Sequence, residues 1–188
     1  MNVGTSSEKL AWKSYEHGNP SDALALFTAL AHDGKPYYLV VAARMHMDGV
    51  GTEVDRERAR DLLDQAISVG VTEAFLQRAL LARLEGDDAA YFRLLNEAVN
   101  RGCGPSRYYL GVCYLEGLGT NRDVAKAMSL IQQASSGGNL GAQILLARRF
   151  LRYPGSLLQF FRGLRLLLSA SARHVYLAFA NPHDERLR

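Results

Sequence analysis

The side chains in this sequence that could carry chemistry are few and dispersed. Five histidines stand at His17, His32, His46, His174 and His183, and none forms a His-x-x-x-His or His-Glu-x-x-His pair that would turn two imidazoles toward one metal ion. There is no Gly-x-Ser-x-Gly nucleophile turn and no phosphate loop. Gly49-Val-Gly51 and Gly117-Leu-Gly119 invite a phosphate-binding reading. Each follows a helical pattern rather than a strand and lacks a third glycine, so both are expected to be inter-helix turns. Glu85, Asp87 and Asp88 cluster three carboxylates in a short turn, where Asp87 or Asp88 can cap the next helix and an ion site is the less favoured use. Asp55 and Asp123 stand just ahead of helical stripes, where a carboxylate accepts from free N–H groups and meets the positive end of the helix. Cys103 and Cys113 match no metal spacing and are too few for a disulfide framework, so both are read as free thiols, Cys113 as a buried inert one. The expectation is therefore no catalytic residue, no metal and no cofactor: a protein that is not an enzyme.

The elements that position these residues are helical and repeat. A small or aromatic residue, apolar residues three, four and seven positions on, and Gly eleven on recur four times. The copies are Ala23/Leu26/Phe27/Leu30/Gly34, Ala59/Leu62/Leu63/Ala66/Gly70, Tyr91/Leu94/Leu95/Ala98/Gly102 and Ala127/Leu130/Ile131/Ala134/Gly138. A fifth, decayed copy fits at Gly163/Leu166/Leu167/Ala170, with His174 in the glycine place. Those offsets put the side chains on one helical face, and the glycine supplies the left-handed residue that ends it. Leu63→Ala and Leu130→Ala are both expected to remove buried stripe residues.

Ahead of each stripe runs another helical segment ending in a large residue, two residues and a closing position: Tyr15 to Gly18, His46 to Gly49, Arg83 to Gly86, Tyr114 to Gly117 and Phe150 to Tyr153. Short copies of 32 residues alternate with long copies of 36, and Pro20, Pro36, Pro105 and Pro154 fall between helical segments. Ala11, Ala43, Ala79, Gly111 and Ala147 are the small residues that let paired helices approach, with Tyr15, Tyr114 and Phe150 filling the space between pairs.

The long copies carry a more specific signature. Gly49-Val-Gly51-Thr-Glu-Val-Asp55-Arg-Glu-Arg-Ala59 and Gly117-Leu-Gly119-Thr-Asn-Arg-Asp123-Val-Ala-Lys-Ala127, the latter led by Leu110-Gly111-Val-Cys-Tyr114, resemble the Sel1-like repeat of the tetratricopeptide-type helical solenoids. The short copies resemble generic tetratricopeptide hairpins, and together they reach from about residue 6 to 174. The sequence departs from the pattern at His46 and Arg83, which take the usual aromatic position. The resemblance implies an all-α fold: a right-handed α-α superhelical solenoid of about five hairpins with a C-terminal capping helix. The expected organisation is one domain over 1–188, with repeats at about 6–37, 38–73, 74–105, 106–141 and 142–174, a cap at 175–181 and a tail at 182–188.

Function then belongs to the concave face lined by the first helices. The tetratricopeptide groove positions, carried over, place Lys9, Lys13 and Glu16 there, then Arg44 and Met47, then Gln77, Leu81 and Leu84. They are followed by Tyr108, Val112 and Leu115 and by Ile144, Arg148, Leu151 and Arg152. The set is basic at both ends and apolar in the middle, which suits a protein or peptide partner that is apolar at its centre and acidic at its flanks. A competing reading makes Leu81, Leu84 and Leu151 core and the arginines merely solvating.

Composition is that of an ordinary soluble globular protein. The chain has 188 residues, 48% hydrophobic and 22% charged, with no run of about 20 uncharged apolar residues to cross a membrane. Met1 to Gly18 is too polar for a secretory signal, so a cytoplasmic protein is expected, with a bacterial assembly or signalling complex as its setting. Residues 1–94 hold 10 basic and 14 acidic side chains, residues 95–188 hold 12 and 5. That asymmetry leaves open docking of the basic C-terminal half on nucleic acid, through Tyr108, Phe160, Phe161 or Tyr176, or on an anionic membrane through Arg148, Arg149, Arg152, Arg162, Arg165 and Arg173. Leu157 to Ala180 is apolar on more than one face. A cap built on Val175, Leu177, Ala178 and Phe179 would cover it, and a homodimer contact through the C-terminal helices is the alternative.

Overall fold

A computed structural model describes residues 6–152, 158–159 and 161–169. Among these residues the protein is helical throughout, as α1 (Ser6–Glu16), α2 (Pro20–His32), α3 (Tyr37–Asp48), α4 (Arg56–Ser68), α5 (Glu73–Leu84), α6 (Asp88–Asn100), α7 (Ser106–Glu116), α8 (Val124–Ser136) and α9 (Leu140–Arg152), with a further helical stretch at 161–169. The all-α class is the one expected. The ends of the expected fifth copy at Tyr153, Ala170 and His174, together with Pro154, Phe160, Arg173, Tyr176, the cap at 175–181 and the tail at 182–188, lie outside the described residues.

Local chemistry sets where each helix begins and ends. The Asp55, Asp87 and Asp123 carboxylates accept from the N–H groups of Arg58, Ala90 and Lys126 at 2.8, 2.9 and 2.9 Å, capping α4, α6 and α8. Asn139 does the same for Ala142 at 2.9 Å, a cap the stripe pattern does not reveal. Pro20 opens α2, where its missing N–H leaves nothing unpaired.

At the closing ends, each second-helix stripe is sealed by a bond onto its own last member. The N–H groups of Lys35, Val71, Cys103 and Asn139 donate to the carbonyls of Leu30, Ala66, Ala98 and Ala134 at 3.2, 2.9, 2.8 and 3.0 Å. That bond requires the preceding glycine to be left-handed, and Gly34, Gly70, Gly102 and Gly138 have φ of 82°, 87°, 86° and 85°. The longer turns are each held by one equivalent bond, Asp55 N–H to His46 O at 2.9 Å and Asp123 N–H to Tyr114 O at 2.8 Å.

The described chain falls into two compact units, one ending at Cys103 and one starting at Gly104. In the first, α1–α2, α3–α4 and α5–α6 pair as hairpins, α2 meets α3, α4 meets α5, and α3 also meets α5. Ala11, Ala23, Phe27, Leu30, Tyr38 and Met45 form one core. A second joins Val40, Ala42 and Ala43 to Ala59, Leu62, Leu63, Ala66, Ala74 and Leu81, and Phe75, Ala98 and Cys103 close a third. In the second unit α7 pairs with α8, α8 packs on α9, and Ile131, Ala134, Ala142 and Leu146 form its core. Neither Cys103 nor Cys113 forms a disulfide, as expected, and both are buried, as expected for Cys113.

Helix ends also settle the repeat register. The bonds from Asn19 to Ser14, Val50 to Met45, Asp87 to Ala82 and Leu118 to Cys113 make these four acceptors equivalent. Counting back, Ala43 and Gly111 correspond to Trp12 and Leu80, whereas Ala11 and Ala79 lie one residue earlier. The five small residues are all buried, but the four placed by these bonds occupy two registers rather than one. The approach at Gly111 is close: a β-carbon there would stand 2.7 Å from Ile131 Cγ1 and 3.2 Å from the Ala127 carbonyl.

This contact also corrects one stripe expectation. Ile131 faces Gly111 and is wholly buried, while its neighbour Leu130 is turned half outward. Ile131→Ala is expected to cost about 2–5 kcal/mol and Leu130→Ala less than half as much. Urea unfolding of the two variants checks this, and equal losses would contradict the packing of α8 on α7.

Candidate partner-binding surfaces

Counted from the glycine that closes α1, α3, α5 and α7, the expected partner-facing residues on these helices fall nine, five or two positions back. On α1 these are Lys9, Lys13 and Glu16, all exposed. On α3, Arg44 is exposed and pairs with Asp48 at 3.3 Å, while Met47 is half-buried against the core. On α5, Gln77 is half-buried and Leu84 is 57% exposed, so Leu84 is not a core residue. On α7, Tyr108, Val112 and Leu115 are half-buried; on α9, Ile144 and Leu151 are half-buried and Arg148 and Arg152 exposed.

Leu81 is the exception and a correction. It is 0% exposed and lies in the core with Val40, Ala43 and Ala74. The reason is the residue before it. Where α3 and α7 bring Ala43 and Gly111 to the close approach, α5 brings the larger Leu80, which stays only partly buried, and Leu81 takes the buried place.

Tyr108 is held more firmly than a surface tyrosine. A β-carbon on Gly141 would stand 3.0 Å from its Cζ, so the ring lies on the α9 backbone and needs a glycine there. Burial, and after it Tyr109 and Glu116, pushes the hydroxyl pKa up. Tyr109 meets the same ring edge-on with centroids 5.2 Å apart. Leu151 is tied to the 161–169 helix, since a β-carbon on Gly163 would stand 3.3 Å from its Cγ.

The carboxylates that might have formed an ion site are engaged in structure. Glu85 pairs with Arg60, Asp87 caps α6, and Asp88 pairs with Arg83 at 2.6 Å. Arg78 reaches from α5 to Asp64 on α4 at 3.3 Å and stands 4.0 Å from Glu85. Among the described residues no three His, Cys, Asp or Glu side chains gather closely enough to hold a metal ion. His46, in the place Tyr114 occupies in the other long copy, has a buried Nδ1 without a hydrogen-bond partner. Burial holds its pKa below the usual histidine value, against the nearby Asp55 carboxylate.

Two clusters were missed by sequence reasoning because their members come from different hairpins. The Tyr38 hydroxyl hydrogen-bonds Glu8 and Trp12, and Glu8 pairs with Lys35 at 2.8 Å. The second is the Arg60–Glu85–Arg78–Asp64 set, which links α4 to α5. No spacing in the sequence brings Glu8 to Tyr38 or Arg60 to Glu85.

Known proteins agree with this architecture. The Sel1 repeat family pattern matches residues 39–71 and 104–139, the two long copies. A Sel1 repeat protein from Oxalobacter formigenes superposes with a TM-score of 0.74 at 20% identity, covering 89% of this chain and 72% of that one. The c5321 protective antigen of uropathogenic Escherichia coli, described as having an SLR fold, gives 0.73 at 19% identity, covering 89% and 38%. At such identities the likeness establishes the fold alone. In sequence, the chain is 37% identical over 101 residues to mouse DAP3-binding cell death enhancer 1 and 34% identical over 104 residues to the rat protein. These stretches cover 53% and 54% of this chain, and the chain spans about 20% of either curated relative. Among the described residues no helix is long and apolar enough to cross a membrane. The matched repeats, the hairpin geometry and the structural neighbours converge: the chain carries two Sel1 repeats, at residues 39–71 and 104–139, within an all-α helical-repeat fold.

Proposed function

We propose that the chain is a non-enzymatic protein-interaction module that holds a segment of a partner protein against its first helices. One observation carries this reading. Two positions before the closing glycine, successive first helices bear Glu16, Met47, Leu84 and Leu115, and Leu84 keeps 57% of its surface in water although its helix is otherwise well packed. A large apolar side chain so placed gains most from a partner that covers it.

Within the first unit, Lys9, Lys13 and Arg44 supply positive charge beside Met47 and Leu84. Within the second, Arg148 and Arg152 accompany Tyr108, Val112 and Leu115. Each surface suits an apolar segment with acidic flanks, because leucine and methionine bury its apolar side chains while arginine and lysine pair with its carboxylates. The rodent relatives are described as DAP3-binding, so DAP3 is the first partner to test.

Surface plasmon resonance with purified DAP3 is expected to show binding by the wild-type chain. Leu84→Glu is expected to weaken it roughly tenfold or more and Leu84→Met to preserve it, since an exposed residue can change without unfolding the protein. No binding by the wild type would remove DAP3 as the partner. Unchanged affinity in a folded Leu84→Glu variant would move the contact off the first helices.

A further inference from the structure

The 161–169 helix has two apolar sides. Gly163 is buried against Phe150 and Ala147 of α9, and Leu166 and Leu167 are half-buried on the same side. On the outward side Leu164 and Leu168 are 38% and 62% exposed, and Leu158, in the helical residues just before, is 71% exposed. Leu164 and Leu168, one helical turn apart, mark one outward arc of the 161–169 helix, and Leu158 adds a further exposed leucine ahead of it.

The charge around this arc is one-sided. From Val124 to His183 the sequence contains no aspartate or glutamate, and after Lys126 every basic residue is an arginine. Arg149, Arg162 and Arg165 are exposed and belong to none of the ion pairs formed among the described residues. Exposed leucines beside arginines that pair with no carboxylate among the described residues make a surface complementary to carboxylates flanking apolar side chains. We propose that this outward face, built on Leu158, Leu164, Leu168, Arg162 and Arg165, is a docking site for an acidic amphipathic helix of a partner protein, separate from the first-helix surfaces.

Three features favour that occupant. Within the 161–169 helix Arg165 lies about 60° from Leu168, bordering the apolar arc. A charge there opposes insertion into lipid but can pair with a carboxylate on a facing helix. The planar guanidinium, used here to the exclusion of lysine, fits bidentate carboxylate recognition. A second copy would set arginines against arginines at this face, a like-charge contact.

The test uses the full chain and a synthetic helical peptide with leucine at three- and four-residue steps flanked by glutamate, beside a scrambled peptide of the same composition. By fluorescence anisotropy the patterned peptide is expected to bind at least about tenfold more tightly than the scrambled one. The Arg162→Glu/Arg165→Glu double variant should lose roughly tenfold or more, and a peptide with arginine in place of glutamate should recover that loss. A photo-crosslinking group at Leu168 should attach to the peptide. Four results would overturn the proposal: equal binding of the scrambled peptide, cross-linking within the chain to residues 170–188, a cross-linked dimer, or binding to phosphatidylserine/phosphatidylcholine vesicles with none to the peptide. Attachment of the peptide at Leu168 should persist in the Leu84→Glu variant, so failure here is distinguishable from failure of the first-helix reading.

Discussion

Phe27→Ala is expected to destabilise the N-terminal unit by about 3–5 kcal/mol, the cost of emptying a large aromatic site in a core that cannot fully collapse. Phe27 is 0% exposed, and its ring centroid lies 4.9 Å from Trp12, 5.5 Å from Tyr38 and 6.5 Å from Tyr15. These partners come from α1 and α3, so one side chain on α2 joins the first hairpin to the second. The loss should therefore exceed that of removing a side chain that packs within one hairpin. Trp12 is the sole tryptophan of the chain, which gives the experiment a local reporter. Urea unfolding followed by its fluorescence should shift to lower denaturant in Phe27→Ala, with native-state emission moved to the red as water reaches the indole. An unshifted midpoint would mean that this aromatic cluster does not hold the hairpins together.

Gly51→Ala is expected to cost about 2–5 kcal/mol, while Gly34→Ala costs about 1 kcal/mol. The two glycines have nearly the same backbone, with φ of 77° and 82°, so the left-handed penalty is common to both. Their surroundings differ. A β-carbon on Gly34 meets nothing within 4 Å, whereas one on Gly51 would stand 2.4 Å from the Pro20 carbonyl carbon and oxygen and 2.7 Å from the Ser21 nitrogen. Pro20 and Ser21 begin α2, so the Gly51 turn of the second hairpin lies directly on the start of a helix in the first. Backbone atoms cannot rotate away as a side-chain end can, and the hairpins must separate to admit one methyl group. Equal losses for the two variants in denaturant unfolding would show that this inter-hairpin contact is absent.

Much of the fold was legible in the sequence, and the reason is local. A helix of period 3.6, a carboxylate one residue before it and a glycine just after its last apolar residue are all encoded within a dozen positions. The stripes Ala59/Leu62/Leu63/Ala66 and Ala127/Ile131/Ala134 are accordingly buried, and Asp55, Asp87 and Asp123 cap their helices. Register was less legible. Ala11 and Ala79 look equivalent to Ala43 and Gly111 in composition, yet the hydrogen bonds at the helix ends set them one residue apart. The same difficulty sent Leu81 to the surface and left Leu130 in the core, because the side of a helix that faces a neighbour depends on the size of residues on both helices.

By itself, then, the sequence determined the all-α class, the alternation of short and long hairpins, the caps and glycine closures, and the membership of the long copies in the Sel1 repeat. Each follows from interactions between residues close in the chain, whose geometry is the same wherever they occur. Tertiary structure alone decided which leucine of a pair is buried, that Gly51 abuts Pro20, and that Glu8, Trp12 and Tyr38 join in one network. It also decided that Leu84, Leu158 and Leu168 remain in water. Those outcomes depend on the distance between separate hairpins, which is set by the summed volumes of side chains far apart in sequence and is carried by no single periodicity.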